Sequence, residues 1–316
     1  MIIDIGLNQA TAFAPATVGN VAVGFDILGF ALDHIGDRVT VTRSARPEVR
    51  ILAINGADVA LPEDPSKNTA TAGLVRLIAD RKLDFGFDVT IDKGIPLGSG
   101  MGGSAASAVA AIVAASALLE ERLPLPDRFT YALIGEAVAS GAAHGDNIAP
   151  CLLGGLTLVR SMDPPDVIRI PVPPAINCVL VHPHMRIDTR TSRGVLAAHV
   201  ERAAFIEQTS NIAGFIAGCF TDDRDLIARS LRDVVIEPQR AHLIPGFAAV
   251  QKAAFAAGAM GCSISGAGPS LFAWHGPDID PAELSAAMVK AFATVELKAD
   301  AWHSSVNGLA AHLVER

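Results

Sequence analysis

The sequence predicts a chain that mixes β-strands with α-helices and divides into two domains. Three observations carry that expectation. Segments such as Arg38–Arg43 (RVTVTR) and Phe87–Ile91 (FDVTI) set Val and other apolar residues against polar ones, as half-buried strands do. The Ala-rich stretch after Gly103 contains neither Gly nor Pro until Pro124 and reads as a helix. Prolines 164, 165, 171, 173 and 174 break the chain near its middle, which puts the boundary between residues 1–165 and 166–316. A length of 316 residues accommodates two domains or one large one.

Half of the residues are hydrophobic and 18% are charged, so the chain can bury a sizeable core. A net charge of −8 without any Lys/Arg cluster argues against a nucleic-acid surface. Cys151, Cys178, Cys219 and Cys262 are widely spaced and form no CxxC pair. They suit reduced, buried thiols in a cytoplasmic protein. The N-terminal MIIDIGLNQATAF carries Asp4, no basic residue and no cleavage-like site, so it does not read as a signal peptide. The uncharged run from Gly94 to Leu119 starts in a Pro/Gly loop, and its helical part is short and rich in Ala and Ser. It is not expected to enter a membrane.

Gln9–Ala14 reads as the first strand and Arg38–Arg43 as the second. Between them, Pro15–Leu32 (PATVGNVAVGFDILGFAL) sets Asn20 and Asp26 in apolar surroundings. Burying them unpaired would cost a few kcal/mol, so they either face a pocket or cap local turns. Val49–Ala53 continues the sheet, and a helix capped by Asp64 or Ser66 carries Ala70, Leu74, Leu77 and Ile78 on one face. After the Phe87–Ile91 strand comes GIPLGSGMGGSAAS, with five glycines from Gly94 to Gly103, leading into a helix near Ser104. Such a loop can cradle the phosphates of a nucleotide on backbone N–H groups and the Ser104 hydroxyl, or simply turn into a tightly packed Ala helix. It is not a Walker A loop, since no GK[ST] follows the glycines.

A second helix spans about Asp127–Ser140 and contains Glu136, and a polar loop then holds His144, Asp146 and Asn147 before an apolar strand. Beyond the prolines, Cys178–His182 reads as a strand and a helical region begins at Thr191–Leu196. Helices are expected over Ala203–Cys219, Asp223–Val235 and about Phe247–Ala257. A loop of small residues around Gly266–Gly268 then leads into the strand SLFAW; taken alone, it is also what a tight strand–strand connection looks like.

PATVGNVAVGFDILGFAL, PLGSGMGGSAAS and SISGAGPS follow the order of the three motifs of the GHMP small-molecule kinases, which the chain resembles from about Ala14 to Trp274. Within that family it is most similar to the homoserine-kinase branch. HGDNIAPCLLGG and the TxxSR and EPQR elements, with Arg193 and Arg240, match that branch too. The resemblance implies an α+β, two-domain GHMP-kinase fold: an N-terminal α+β domain and a C-terminal ferredoxin-like α+β domain, with ATP and the acceptor in the cleft between them. It implies that Pro96, Leu97, Gly98, Ser99, Gly100, Met101, Gly102, Gly103 and Ser104 hold the triphosphate. Asn68 would lie at the adenine end, and Gly266 and Gly268 near the phosphates. Ser104 and Glu136 match the family's Mg²⁺ ligands, a reasonable protein share for an ion that keeps waters and phosphate oxygens.

For the acceptor, homoserine, the resemblance implies Arg193 and Arg240 at the carboxylate and Asn20 and Asp26 at the ammonium, with His144 and Asp146 completing the pocket. Other branches carry an Asp able to act as base where this chain has Asn147. Asn cannot take a proton, so Asn147 is expected to orient the hydroxyl without a dedicated base. Gly103 replaces the first serine of the family's second motif. The family is often dimeric, and the resemblance carries a homodimer to this chain as an expectation. Two other readings remain: a kinase of the same family with another small alcohol, and a ligand-binding protein that kept the fold without turnover.

Overall fold

The computed structural model describes residues 7–141 and 144–314. Residues 1–6 of the stretch read as not a signal peptide, and residues 142–143 ahead of His144, lie outside them. The strands among the described residues are β1 (Gln9–Gly19), β2 (Leu28–Ser44), β3 (Val49–Asn55), β4 (Gly86–Asp92), β5 (Leu156–Met162), β6 (Pro165–Ile170), β7 (Asn177–Pro183), β8 (Gly261–Ile264), β9 (Leu271–His275), β10 (Ala299–Ser305) and β11 (His312–Leu313). The helices are α1 (Ala72–Arg81), α2 (Gly103–Ser116), α3 (Leu125–Ser140), α4 (Gly145–Leu153), α5 (Thr189–Gly194), α6 (Arg202–Thr221), α7 (Arg224–Ser230), α8 (Glu237–Arg240), α9 (Phe247–Ala256) and α10 (Pro281–Ala293).

The first sheet has the order β11-β1-β2-β4-β3, with β5 on the early part of β2 and β6 beyond it. Its pairs are antiparallel except β3 with β4. α2 lies against β1 and β2 with nearly every residue buried. A helix of small apolar residues on all sides suits a position enclosed by other elements. The second sheet runs β10-β7-β9-β8, all antiparallel. The succession β7, helices, β8, β9, α10, β10 in that spatial order is the split βαβ arrangement of a ferredoxin-like unit.

Alternation along β7 and β9 sends side chains into two cores. Cys178, Leu180, Phe272 and Trp274 join the core of the first sheet and α2. Val179, Val181, Leu271 and Ala273 join a second core with α9 and α10. Successive side chains of a strand point to opposite faces, so each strand serves both.

Several local expectations are corrected. α1 starts at Ala72 rather than at a cap on Asp64 or Ser66, because Asp64 Oδ1 instead accepts the Ser66 N–H and O–H in a turn of its own. Asp146 and Asn147 stand in the first turn of α4, not in a loop. The helix expected over Asp223–Val235 ends at Ser230, and Asp233 then accepts the N–H groups of Val235, Ile236 and Glu237. Pro164 and Pro165 turn the β5–β6 hairpin, so the chain changes sheet later, between Ile170 and Asn177.

Candidate active site

The segment between β1 and β2 is wound against its chirality. Asn20, Val21 and Ala22 all take positive φ (70°, 45° and 56°), as does Asp26 (64°). This conformation costs non-glycine residues and persists only where neighbours impose it. Here Asn20 imposes it: Oδ1 accepts the Asp26 N–H at 3.0 Å and Nδ2 donates to Gly266 O at 2.8 Å. The Arg240 Nη1 donates to the same Gly266 carbonyl at 3.1 Å, and its Nε to Ser192 O at 3.0 Å. Two distant segments thus donate to one main-chain oxygen of a third.

The glycine loop lies between β4 and α2. Gly100 has φ +76°, and a Cβ there would stand 2.4 Å from Ser265 O and 2.7 Å from Gly268 O. Gly102, at φ +67°, would bring a Cβ within 2.1 Å of Thr17 Oγ1. Glycine is therefore required by both backbone angle and space. The N-terminus of α2, with its unpaired first-turn N–H groups, opens at the end of this loop.

Loop, strained turn and helix ends enclose a cleft of about 450 Å³. Of the nucleotide, metal and acceptor residues that the resemblance implied, every one but Gly268 lines it. Gly268 supports the loop from behind, its carbonyl facing Gly100. Ser104 Oγ donates to Glu136 Oε2 at 2.5 Å. Burial, opposed by the Ser104 hydroxyl, raises the Glu136 carboxyl to about 7. Asp146 is raised to about 7 as well, first by burial and then by the Asp26 charge. His144 precedes the first turn of α4, its pKa lowered by burial and by Arg193. Asn68 reaches the cleft, but its amide is held by Pro62 O and the Ala70 N–H.

Arg193 is bidentate to Asp26, with Nη1 3.0 Å from Oδ2 and Nη2 on Oδ1. Its Nε is buried without a hydrogen-bond partner. Burial first, and then Arg193, lowers the Arg240 pKa to about 10. Both guanidinium carbons lie over the Phe25 ring, at 5.2 Å for Arg193 and 5.0 Å for Arg240. Phe25 escaped the sequence reading, and so did a buried cluster beneath the glycine loop. Lys93 Nζ pairs there with Asp37 and donates to Gly103 O at 2.9 Å and Ser107 Oγ at 2.8 Å. Asp37 Oδ1 also accepts the Gly94 and Ile95 N–H groups. The signal for Lys93 was its place beside Gly94; Asp37 had none, being one polar residue in an alternating strand.

Two family models match the chain: GHMP kinases N terminal domain over residues 68–155, and GHMP kinases C terminal over residues 212–294. The chain belongs to the GHMP kinases. This GHMP kinase is 50% identical over 309 residues to the homoserine kinase of Xanthomonas campestris pv. campestris (strain B100), covering 98% of this chain and 95% of that one. It is 43% identical over 312 residues to the homoserine kinase of Chlorobium phaeobacteroides (strain BS1), covering 95% and 98%. The crystal structure of homoserine kinase from Cytophaga hutchinsonii ATCC 33406 superposes with a TM-score of 0.93 at 42% identity, over 98% of both chains. L. major mevalonate kinase, at 15% identity and a TM-score of 0.70 over 96% and 98% of the two chains, shares the fold alone. Among the described residues of this GHMP kinase, no helix is long and apolar enough to cross a membrane, and all four cysteines are free and buried.

Proposed function

We propose that this GHMP kinase transfers the γ-phosphoryl group of ATP to the hydroxyl of L-homoserine, giving O-phosphohomoserine, a step of threonine biosynthesis. The observation that carries the acceptor is the grouping of Arg193 and Arg240 around Phe25, opposite Asp26, with a buried Arg193 N–H left to donate. Two guanidinium groups and a carboxylate on one wall are complementary to an amino-acid zwitterion. A prenyl-type alcohol would leave them without a role. The names of the relatives agree with this reading.

In it, Gly98–Ser104 and the first turn of α2 hold the triphosphate on backbone N–H groups. The hard oxygens of Ser104 and Glu136, in contact with each other beside that loop, fit a Mg²⁺ ion held mainly by phosphates. Bound there, the ion would offset phosphate charge and favour ionised Glu136. Asn147 orients the acceptor hydroxyl, whose oxygen attacks the γ-phosphorus in line as the bond to ADP breaks. The proton passes to phosphate or solvent. A loose transition state asks mainly for positioning and charge neutralisation. We further propose that the chain works as two units, the first sheet with its helices carrying the phosphate loop and the second sheet with its helices carrying Arg193 and Arg240.

ADP release measured with L-homoserine, mevalonate, galactose and shikimate in parallel tests the assignment. Turnover confined to L-homoserine is expected. Preference for another alcohol, or ATP binding without turnover on any, would overturn it.

A further inference from the structure

We infer that Thr17 is a positioning residue: its hydroxyl and its main chain register the Asn147 amide against the phosphate loop. The inference rests on the reading of Asn147 as the group beside the acceptor hydroxyl.

The pairing of β1 with β2 slips between Pro15, opposite Gly36, and Thr17, opposite Ala31. The extra residues, Leu32–Ile35, lie on β2 opposite Ala16, and beyond this irregularity Thr17 takes up a new register. Thr17 is fully buried, so its hydroxyl needs a partner. It donates to Asn147 Oδ1 at 2.7 Å, 130 positions along the chain. On the other edge of the amide, Asn147 Nδ2 lies 3.3 Å from Asp146 Oδ1. A flipped amide would set its carbonyl oxygen against that carboxylate, so the NH₂ edge belongs on the Asp146 side. With one Oδ1 lone pair taken by Thr17 and one Nδ2 hydrogen on Asp146, the amide is held at both ends, its second N–H left to donate.

The same residue touches the phosphate loop twice. The Thr17 N–H donates to Met101 O at 3.0 Å. Gly102 leaves open the space that Thr17 Oγ1 and Asn147 Oδ1 share, for a Cβ there would lie 2.1 Å from the first and 2.9 Å from the second. Thr17 therefore fixes the distance between the group that orients the nucleophile and the loop that carries the electrophile. In a reaction governed by alignment, a small misplacement of that pair slows the chemical step more than it weakens binding.

The test is steady-state kinetics on Thr17→Val and Thr17→Ser, alone and in an Asn147→Ala background. Thr17→Val keeps the volume and the N–H to Met101 but loses the hydroxyl. It should lower kcat about tenfold while KM for ATP and for L-homoserine stay within about twofold. Thr17→Ser should recover most of the wild-type kcat, and in the Asn147→Ala background Thr17→Val should cost nothing further. Wild-type kcat in Thr17→Val beside an impaired Asn147→Ala overturns the role of Thr17 alone, as do equal losses in the Val and Ser variants or losses that multiply. Wild-type kcat in Asn147→Ala overturns the reading of the site itself. Should Thr17→Val not fold, Thr17→Cys takes its place: an intermediate kcat supports the inference and a wild-type kcat removes it.

Discussion

Arg193 and Asp26, 167 positions apart in sequence, meet in the cleft as a two-pronged ion pair. Without a ligand, each neutralises the other. In the proposed binding mode a zwitterion would replace that one pair by two, its ammonium on the aspartate and its carboxylate on the arginine. A molecule bearing only one charge would strand one partner in a half-buried site.

Arg193→Ala and Arg240→Ala should therefore raise the KM for L-homoserine about ten- to a hundredfold, as expected for losing a charge-assisted contact of roughly 1.5–3 kcal/mol. ATP affinity should move far less. Arg193→Lys should not restore the acceptor KM, because an ammonium cannot reproduce the two-pronged geometry. Calorimetric titration of each ligand checks this, and equal losses for ATP and acceptor would remove the arginines from the carboxylate site.

Glu136→Gln keeps the shape of the side chain and removes its charge. Turnover should collapse and the Mg²⁺ dependence should shift to higher concentration, because one of two protein oxygens near the glycine loop becomes neutral. A Mg²⁺ titration of turnover reads both effects. Ordinary turnover with ordinary Mg²⁺ dependence would take Glu136 out of the metal site.

Asn147→Asp adds no useful base. The new carboxylate would stand beside Asp146, whose Oδ1 is 3.3 Å from the present amide nitrogen, and under the proposed function it would add negative charge beside the phosphoryl group. Turnover should fall or stay level across the pH range. A faster enzyme with a new acidic limb in its pH profile would show that a base helps here.

Lys93→Met breaks a pair whose side chains are 4% and 0% exposed. Asp37 would keep Ser107 and two backbone N–H groups but lose its counter-charge. The expected loss is about 3–5 kcal/mol in a denaturant titration. Lys93→Met/Asp37→Asn, which removes both charges, should recover part of it. A loss below about 1 kcal/mol would mean that the pair behaves as an exposed one.

Asp146→Asn tests burial by pH. Burial lifts the Asp146 carboxyl from its ordinary 3.8 to about 7, so the native state holds the proton more tightly than the unfolded chain. Its contribution to stability falls as pH rises between about 4 and about 7, and is level above that. Asp146→Asn should gain stability relative to wild type across this window. His182, drawn down from 6.5 to about 4 by burial, tilts the wild-type curve the other way, but it is common to both proteins and cancels in the difference. A difference that does not change with pH would contradict a buried charge at Asp146.

What the residues themselves made legible was chemistry displayed on punctuation, the glycine loop and the Asn20–Asp26 turn; Arg193 and Arg240 were legible only through the resemblance, and all of them reach one cleft. What the sequence hid was chemistry dressed as ordinary structure. Thr17 and Phe25 stand in the Pro15–Leu32 segment with nothing in their residue types to set them apart from its other members. α4 was missed because Gly145 opens it and Pro150 sits inside it, both unfavourable in isolation. Its place is fixed by packing, with the Asp146 carbonyl against Gly29, where a Cβ would come within 1.8 Å. β6 was lost to its own proline at position 165, tolerated because it begins the strand at the edge of the sheet.

β9 has a consequence for how this protein can change. Phe272 and Trp274 pack edge-on against Phe30, with ring centroids 6.1 and 5.7 Å away, while Leu271 and Ala273 serve the other core. The strand is a party wall between the two sheets. A change of volume at Phe30 must be answered by a residue some 240 positions later. The halves consequently cannot be inherited separately: a chimera joined at the prolines would unite two surfaces shaped for different neighbours, however well each half preserved its own motifs.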